Sequence, residues 1–421
     1  MPDDLSLDPE LRAIALRYFA AVEVSRVPSS LTVADPSPER RRRGFDLGRG
    51  LATVAVFAAV CAVLIVVVVA GRSLRATSPT RTAQGGPSSR VCPSLAAVPR
   101  EGPVPPRSAA AMAYDGATGQ LVLFGGDTFN GKGVALGDTW IWNGTTWSQR
   151  DVSPSPPGRI GAAMAYDPAS RQLLLFSGTG ATPEDDTWIW TGVAWHEVRP
   201  ATNPPPRTDA AIAYDPAIGR IVMFGGWNPD SSGQPMYDDT WTWDGTNWTK
   251  LSPSTAPPSR AEAVMAYDVV SRALVMFGGE GDVAPYSNET WVFDGRAWAL
   301  AHFPLGAAQP AARDATVMAA DDANQTIVLF GGEENGGSNN DTWTWNGSEW
   351  TQIHPRNAPP ARGVQTESGM MAYDPELRVD VLYGGPVANP QGSLGDTWTW
   401  NGNNWTEVAN NGPAQPARGN C

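Results

Sequence analysis

Six arginines and six acids recur along this chain in step. The arginines are Arg107, Arg159, Arg207, Arg260, Arg313 and Arg362. The acids are Asp138, Asp186, Asp239, Glu289, Asp341 and Asp396, each directly before a Thr-Trp pair. A planar guanidinium matches two carboxylate oxygens with parallel N–H bonds, so a set of arginines can hold an anionic ligand. The same register lets each arginine pair with the acid of its own copy, as a structural ion pair. Both readings are open from the sequence.

A second group of residues breaks the pattern. Trp227 is the one tryptophan of 18 at no recurring position, and Pro229, Asp230 and Tyr237 share its segment. Phe129, Asn130, Glu280, Asp282, Tyr286, Glu333, Glu334 and Asn389 occupy the matching segments of other copies. Aromatic rings beside amides and carboxylates suit a neutral or cationic sugar, or a peptide. For Trp227, simple anchoring of its own loop is the alternative. His196, His302 and His354 lack the spacing of a metal pair, and no metal is expected. There is no Gly-x-Ser-x-Gly elbow, phosphate loop or Cys-x-x-Cys site, so no catalytic residue and no cofactor are expected.

The elements that position these residues follow from one repeated phrase between about residues 107 and 407. An Ala-Met-Ala-Tyr-Asp-like stretch leads to an apolar run and a double glycine, then Asp-Thr-Trp-Thr-Trp and Asn-Gly-x-x-Trp. The aromatic before the glycines falls at Phe124, Phe176, Phe224, Phe277, Phe330 and Tyr383, in steps of 52, 48, 53, 53 and 53 residues. A unit of that length made of short strands has the size of one four-stranded propeller blade. Leu121 to Phe124 is apolar throughout, as a strand covered on both faces requires. Thr139 to Trp142 alternates, placing Trp140 and Trp142 on one face. The glycines after Phe124 accept positive φ without a Cβ clash. Asn143-Gly144 and its counterparts predict a two-residue type I′ hairpin turn.

The double glycines (Gly125-Gly126, Gly225-Gly226, Gly278-Gly279, Gly331-Gly332, Gly384-Gly385) and the late tryptophans (Trp147, Trp195, Trp248, Trp298, Trp350, Trp405) resemble those of the Kelch family, the class of the galactose oxidase central domain. Copy two departs, with Ser177-Gly178. The resemblance implies an all-β, six-bladed Kelch-like propeller. It implies that each arginine lies near a central channel and that the variable loops after the glycines help form a ligand face. It implies no particular activity. Copper oxidation of the galactose-oxidase kind needs a cysteine within the blades, and the sequence has none there.

A propeller brings its ends together. Cys92 and Cys421 flank the repeats, which suggests a disulfide clasping the ring; two free thiols are the alternative. The third cysteine, Cys61, lies in a different segment. Leu51 to Ala70 is 20 residues without a charge, long enough to cross a bilayer. Arg40, Arg41, Arg42, Arg43 and Arg49 precede it, which favours a cytoplasmic N-terminus and an extracytoplasmic propeller. A cleaved signal peptide would need a very long charged region, so an uncleaved anchor is expected. Residues 1–50 form the inner segment. Asp8-Pro9-Glu10 opens a short helix over about 9–24, either lying near the membrane or meeting a cytoplasmic protein partner. Residues 71–106 read as a Ser/Thr/Pro-rich linker. Residues 107–407 form the propeller and 408–421 a closing tail.

Through residue 90 there are 12 basic and 8 acidic residues, out of 30 and 43 in all, so the remainder carries a net charge of −17. So acidic a domain is not expected to bind nucleic acid. Two lysines against 28 arginines match the usage of a GC-rich bacterial genome. The expected role is a membrane-anchored recognition module for a glycan, envelope component or protein. A sugar-modifying enzyme or a transmembrane sensor is the alternative.

Overall fold

The structure, a computed structural model, describes residues 100–128, 134–181, 184–229, 236–281, 285–363, 369–388 and 391–410. The predicted helix over 9–24, the apolar span over 51–70 and most of the linker lie outside these residues. So do Cys92, Phe129, Asn130, Asp230, Asp282, Asn389 and Cys421. Among the described residues, no helix is long and apolar enough to cross a membrane.

Six antiparallel four-stranded sheets follow one another. In the first, the strands are Ala111–Asp115, Gln120–Phe124, Thr139–Trp142 and Trp147–Arg150. The first strands of the other five are Ala163–Asp167, Ala211–Asp215, Val264–Asp268, Val317–Asp321 and Met370–Asp374. Each first strand neighbours the next, and the sixth returns to the first, so the sheets are the blades of a closed six-bladed propeller.

The apolar second strands lie at the blade centres because sheets cover both of their faces. Leu121 and Leu123 pack toward blade six, with Val381 and Tyr383. Val122 and Phe124 pack toward blade two, with Leu173 and Trp190. Successive side chains of a strand point to opposite sides, so one run serves two interfaces.

Each late tryptophan fastens its blade to the one before. Trp195 donates its indole N–H to Thr139 Oγ1 at 2.9 Å and meets Phe124 edge-on, with ring centres 5.4 Å apart. Trp248, Trp298, Trp350 and Trp405 repeat the bond to Thr187, Thr240, Thr290 and Thr342. Trp147 closes the circle on Thr397 and Tyr383 of blade six.

The double glycine is required by backbone geometry. Gly126 has φ +84°, and a Cβ there would lie 2.5 Å from the Ser108 carbonyl oxygen. In copy two, Ser177 takes φ 61° and its hydroxyl accepts a bond from the Arg207 N–H at 2.8 Å.

Two local expectations differ from the structure. The Asn-Gly segments are not two-residue type I′ turns. Trp142 pairs with Trp147, so the loop has four residues, and Asn143 Oδ1 accepts the N–H groups of Thr145 and Thr146. Gly144 alone takes positive φ, since the side-chain cap replaces the second left-handed residue. The propeller also begins before residue 107. Arg100–Glu101 adds a strand to the outer edge of blade one, and Val104 is wholly buried. Tyr383 donates its hydroxyl hydrogen at 3.0 Å from the carbonyl oxygens of both Val104 and Pro105.

Candidate functional site

The propeller has two unlike faces. One carries the turns after each first and third strand, built nearly alike in every blade. Asp115 Oδ1 accepts from Ala117 N at 2.9 Å, and Asp167, Asp215 and Asp268 act in the same way. The other face carries the arginine segments and the segments after the double glycines, and these differ between blades.

On that second face the six arginines turn inward to their own acids. Arg207 donates Nη1 to Asp239 Oδ1 at 2.7 Å, Nη1 also to the Gly225 carbonyl at 2.8 Å, and Nε to the Pro205 carbonyl at 3.2 Å. Arg107, Arg159, Arg260, Arg313 and Arg362 pair likewise with Asp138, Asp186, Glu289, Asp341 and Asp396. In every copy Nε, Nη1 and Nη2 all donate to protein acceptors. The acid is gripped from a second side by its tryptophan, as by the Trp241 indole N–H on Asp239 at 2.7 Å. Burial works to raise the Asp239 carboxyl, but the Arg207 bond and charge and the Trp241 bond outweigh it, and it sits below its ordinary value. Asp138 and Glu289 are lowered against the same opposition from burial. This is the geometry of a structural ion pair, with the guanidinium nitrogens engaged within the protein.

The backbone joins the blades at the same place. The Arg159 carbonyl accepts from Gly126 N at 2.9 Å while the Arg159 side chain holds Ser177 of its own blade. In the first four blades, the residues two past the arginine meet one another. There Gly161 N bonds Ala109 O, Asp209 N bonds Gly161 O, and Glu262 N bonds Asp209 O, at 2.8–2.9 Å. Ala109, Asp209, Glu262 and Ala315 all adopt positive φ, between 45° and 57°. They border a cavity of about 150 Å³ at the channel mouth, otherwise lined mainly by alanines.

Acids gather on one side of this mouth. Carboxylate oxygens of Glu262, Glu280 and Asp314 all lie within 4.8 Å of one another. Asp314 is 2% exposed, and its Oδ1 has no hydrogen-bond partner; neither has Glu262 Oε2. The strongest charged neighbours of Glu262 are Asp209, Asp314, Glu280 and Glu333, all acids. Burial, then the charges of Glu333 and Glu280, pushes Asp314 up to about 7. Burial pushes Asp209 up to about 6. Glu262 is raised well above its ordinary value by burial and then by the acids around it. Tyr286 donates its hydroxyl hydrogen to Glu333 Oε1 at 2.8 Å, and burial with that bond pushes its phenol up to about 12.

The structure therefore brings together Glu280, Tyr286 and Glu333 from the off-pattern group. Trp227, at 38% exposed, stands on the same face at the position equivalent to Glu280 and Glu333, bridged to Thr208 and Met236. Tyr237 turns its ring under the Arg207 guanidinium, 4.1 Å away, and its hydroxyl donates to the Pro206 carbonyl. Pro229 is half-buried in the same segment, and Asp230 after it lies outside the described residues. His196, His302 and His354 are exposed and scattered. Sequence reasoning missed Asp209, Glu262 and Asp314. For Asp209 and Glu262 a signal was present: the position two past the arginine holds Ala109, Gly161 and Ala315 in three copies and an acid in these two.

Repeat and fold define the class: a six-bladed β-propeller. Residues 219–421 match the family model described as the KLHDC2/KLHL20/DRC7 Kelch-repeats domain, which takes in the last three strands of blade three and all that follows. No curated protein matches the chain.

Proposed function

We propose that this chain is a membrane-anchored recognition module of bacterial type, held by residues 51–70 with its propeller outside the cytoplasm, and that it binds a protein on the loop face. The contrast between the two faces carries the reading. One face is repeated with little change, as a scaffold is. The other departs from the repeat where Trp227, Glu280, Tyr286 and Glu333 stand, and variation on a rigid frame is where specificity resides. Kelch propellers commonly bind proteins, which supports a protein ligand over a glycan. The net −17 beyond residue 90 suits a partner presenting basic side chains.

A photo-crosslinking residue placed at Trp227, and separately at Val193 on the turn face, tests this in the intact protein in its membrane. Discrete crosslinks to a protein from position 227 alone are expected. Equal crosslinking from both positions, or none from either, counts against it. Protection of a tag before residue 50 from external protease tests the orientation.

A second reading, a sugar-modifying enzyme, draws on the buried carboxyl of Asp314, pushed up to about 7 by burial and by the charges of Glu333 and Glu280, a condition that general acids share. A sugar-turnover screen with a rate profile bending near that pH would favour it over the binder.

A further inference from the structure

We propose that the carboxylates of Glu262, Glu280 and Asp314 form a binding site for a hard divalent cation, such as calcium, beside the cavity that Glu262 lines. The inference concerns the cation alone and does not depend on what the loop face recognises.

The donors come from three separate segments. Glu262 lies two residues past the arginine of blade four, Glu280 directly after that blade's double glycine, and Asp314 one residue past the arginine of blade five. Short backbone pairings fix these segments. Ala261 pairs with Glu280, and Asp314 with Glu333. The acids are thus held near one another by the frame, in spite of their repulsion.

A buried carboxylate ordinarily has a partner, since burying an unpaired polar group is costly. Here Asp314 Oδ1 and Glu262 Oε2 have none. The arginines of these segments are engaged elsewhere: Arg260 pairs with Glu289 and Arg313 with Asp341. The site thus sets three carboxyl groups close together with buried oxygens on two of them that make no hydrogen bond, the condition a bound cation relieves.

The donor set indicates the kind of cation. All three donors are carboxylates, which favour hard cations over zinc or copper. Their oxygens, all within 4.8 Å of one another, are close enough for one such cation to reach each of them. Calcium, whose oxygen shell is large and tolerant in geometry, is the natural probe. Water can fill the remaining positions, as it does in many calcium sites.

Titration calorimetry of the intact protein in detergent with calcium chloride, joined to thermal unfolding, tests the site. One saturable event is expected, with affinity of roughly 0.1–1 mM, as in extracellular calcium modules, and a rise in melting temperature. Asp314→Asn and Glu280→Gln should each weaken binding about tenfold or more. Glu407→Gln, on the outer strand of blade six, should leave it unchanged. Near-ultraviolet circular dichroism of the packed tryptophans shows whether each variant is folded, and Glu262→Gln serves if Asp314→Asn is not. No saturable calcium binding in the wild-type protein overturns the proposal. So does binding that folded Glu262, Glu280 and Asp314 variants keep at full strength.

Discussion

Trp147 in the first blade donates its indole N–H to Thr397 Oγ1 in the last, 3.1 Å away across 250 residues of chain. The same ring meets Tyr383 at 5.4 Å. The first blade draws its strands from residues 100–150 and the last from residues 370–410, so no strand is shared between them. Side chains and short backbone bonds close the ring instead, among them Arg107 N to Leu394 O at 3.2 Å and Gly385 N to Arg107 O at 2.9 Å.

Thr397→Val should therefore weaken closure. It leaves the Trp147 N–H buried without an acceptor, at a cost of about 1–3 kcal/mol. Urea unfolding should show the loss. Thr187→Val, which removes the same bond from Trp248 at an internal interface, should cost a similar amount.

Arg207→Ala should destabilise the propeller by up to about 3–5 kcal/mol, because the buried Asp239 then keeps only the Trp241 N–H and the exposed Lys250 ammonium, 3.5 Å away, to hold its charge. The double variant Arg207→Ala/Asp239→Ala should recover part of that loss in the same measurement. Since the Asp239 carboxyl sits below its ordinary value when folded, its stabilising contribution is present above about pH 4 and is lost as pH falls through the lowered value. Asp239→Asn should flatten the acid limb of a stability-against-pH curve.

Asp380 is a buried acid at a position the other blades fill with Leu121, Leu173, Ile221, Leu274 and Ile327. Both of its carboxylate oxygens are buried without a partner. Burial, then the charges of Asp321 and Asp322, raises it well above its ordinary value. Asp380→Leu should stabilise the propeller by about 1–3 kcal/mol in urea unfolding. A raised folded-state value favours folding fully below about pH 4 and loses that advantage as pH climbs. The gain from Asp380→Leu should therefore be larger at pH 8 than at pH 4.

Trp227→Ala should change binding more than folding. The ring is 38% exposed and belongs to none of the clusters between blades. Thermal unfolding should shift by a few degrees at most, while crosslinking or affinity for the partner at the loop face falls. A large loss of melting temperature would show instead that Trp227 anchors its loop.

Much of the frame was legible because each local feature repeats in step. The apolar runs marked the second strands, the Thr-Trp alternation marked the third, and the double glycines marked the crossings where neighbouring backbones nearly touch. The turn type at Asn143-Gly144 was misread, because a side-chain oxygen can cap a four-residue loop that a dipeptide rule assigns as two. The segment 100–106 carries no repeat signal; Val104 is buried only because Tyr383 and Trp147, far along the chain, come to cover it.

The sequence alone determined the number of blades, the strands within them and the pairing of apolar faces, since burial on both sides writes itself into a run of adjacent residues. It marked the arginines and acids as partners in register but left their use open. Only the tertiary structure decided that the guanidinium nitrogens are spent within the blades. Only it gathered Asp209, Glu262, Glu280, Asp314 and Glu333 at one channel mouth. Closing a ring carries the same position of successive repeats to a common axis, and the repeat marks which positions correspond without marking which of them the axis brings together.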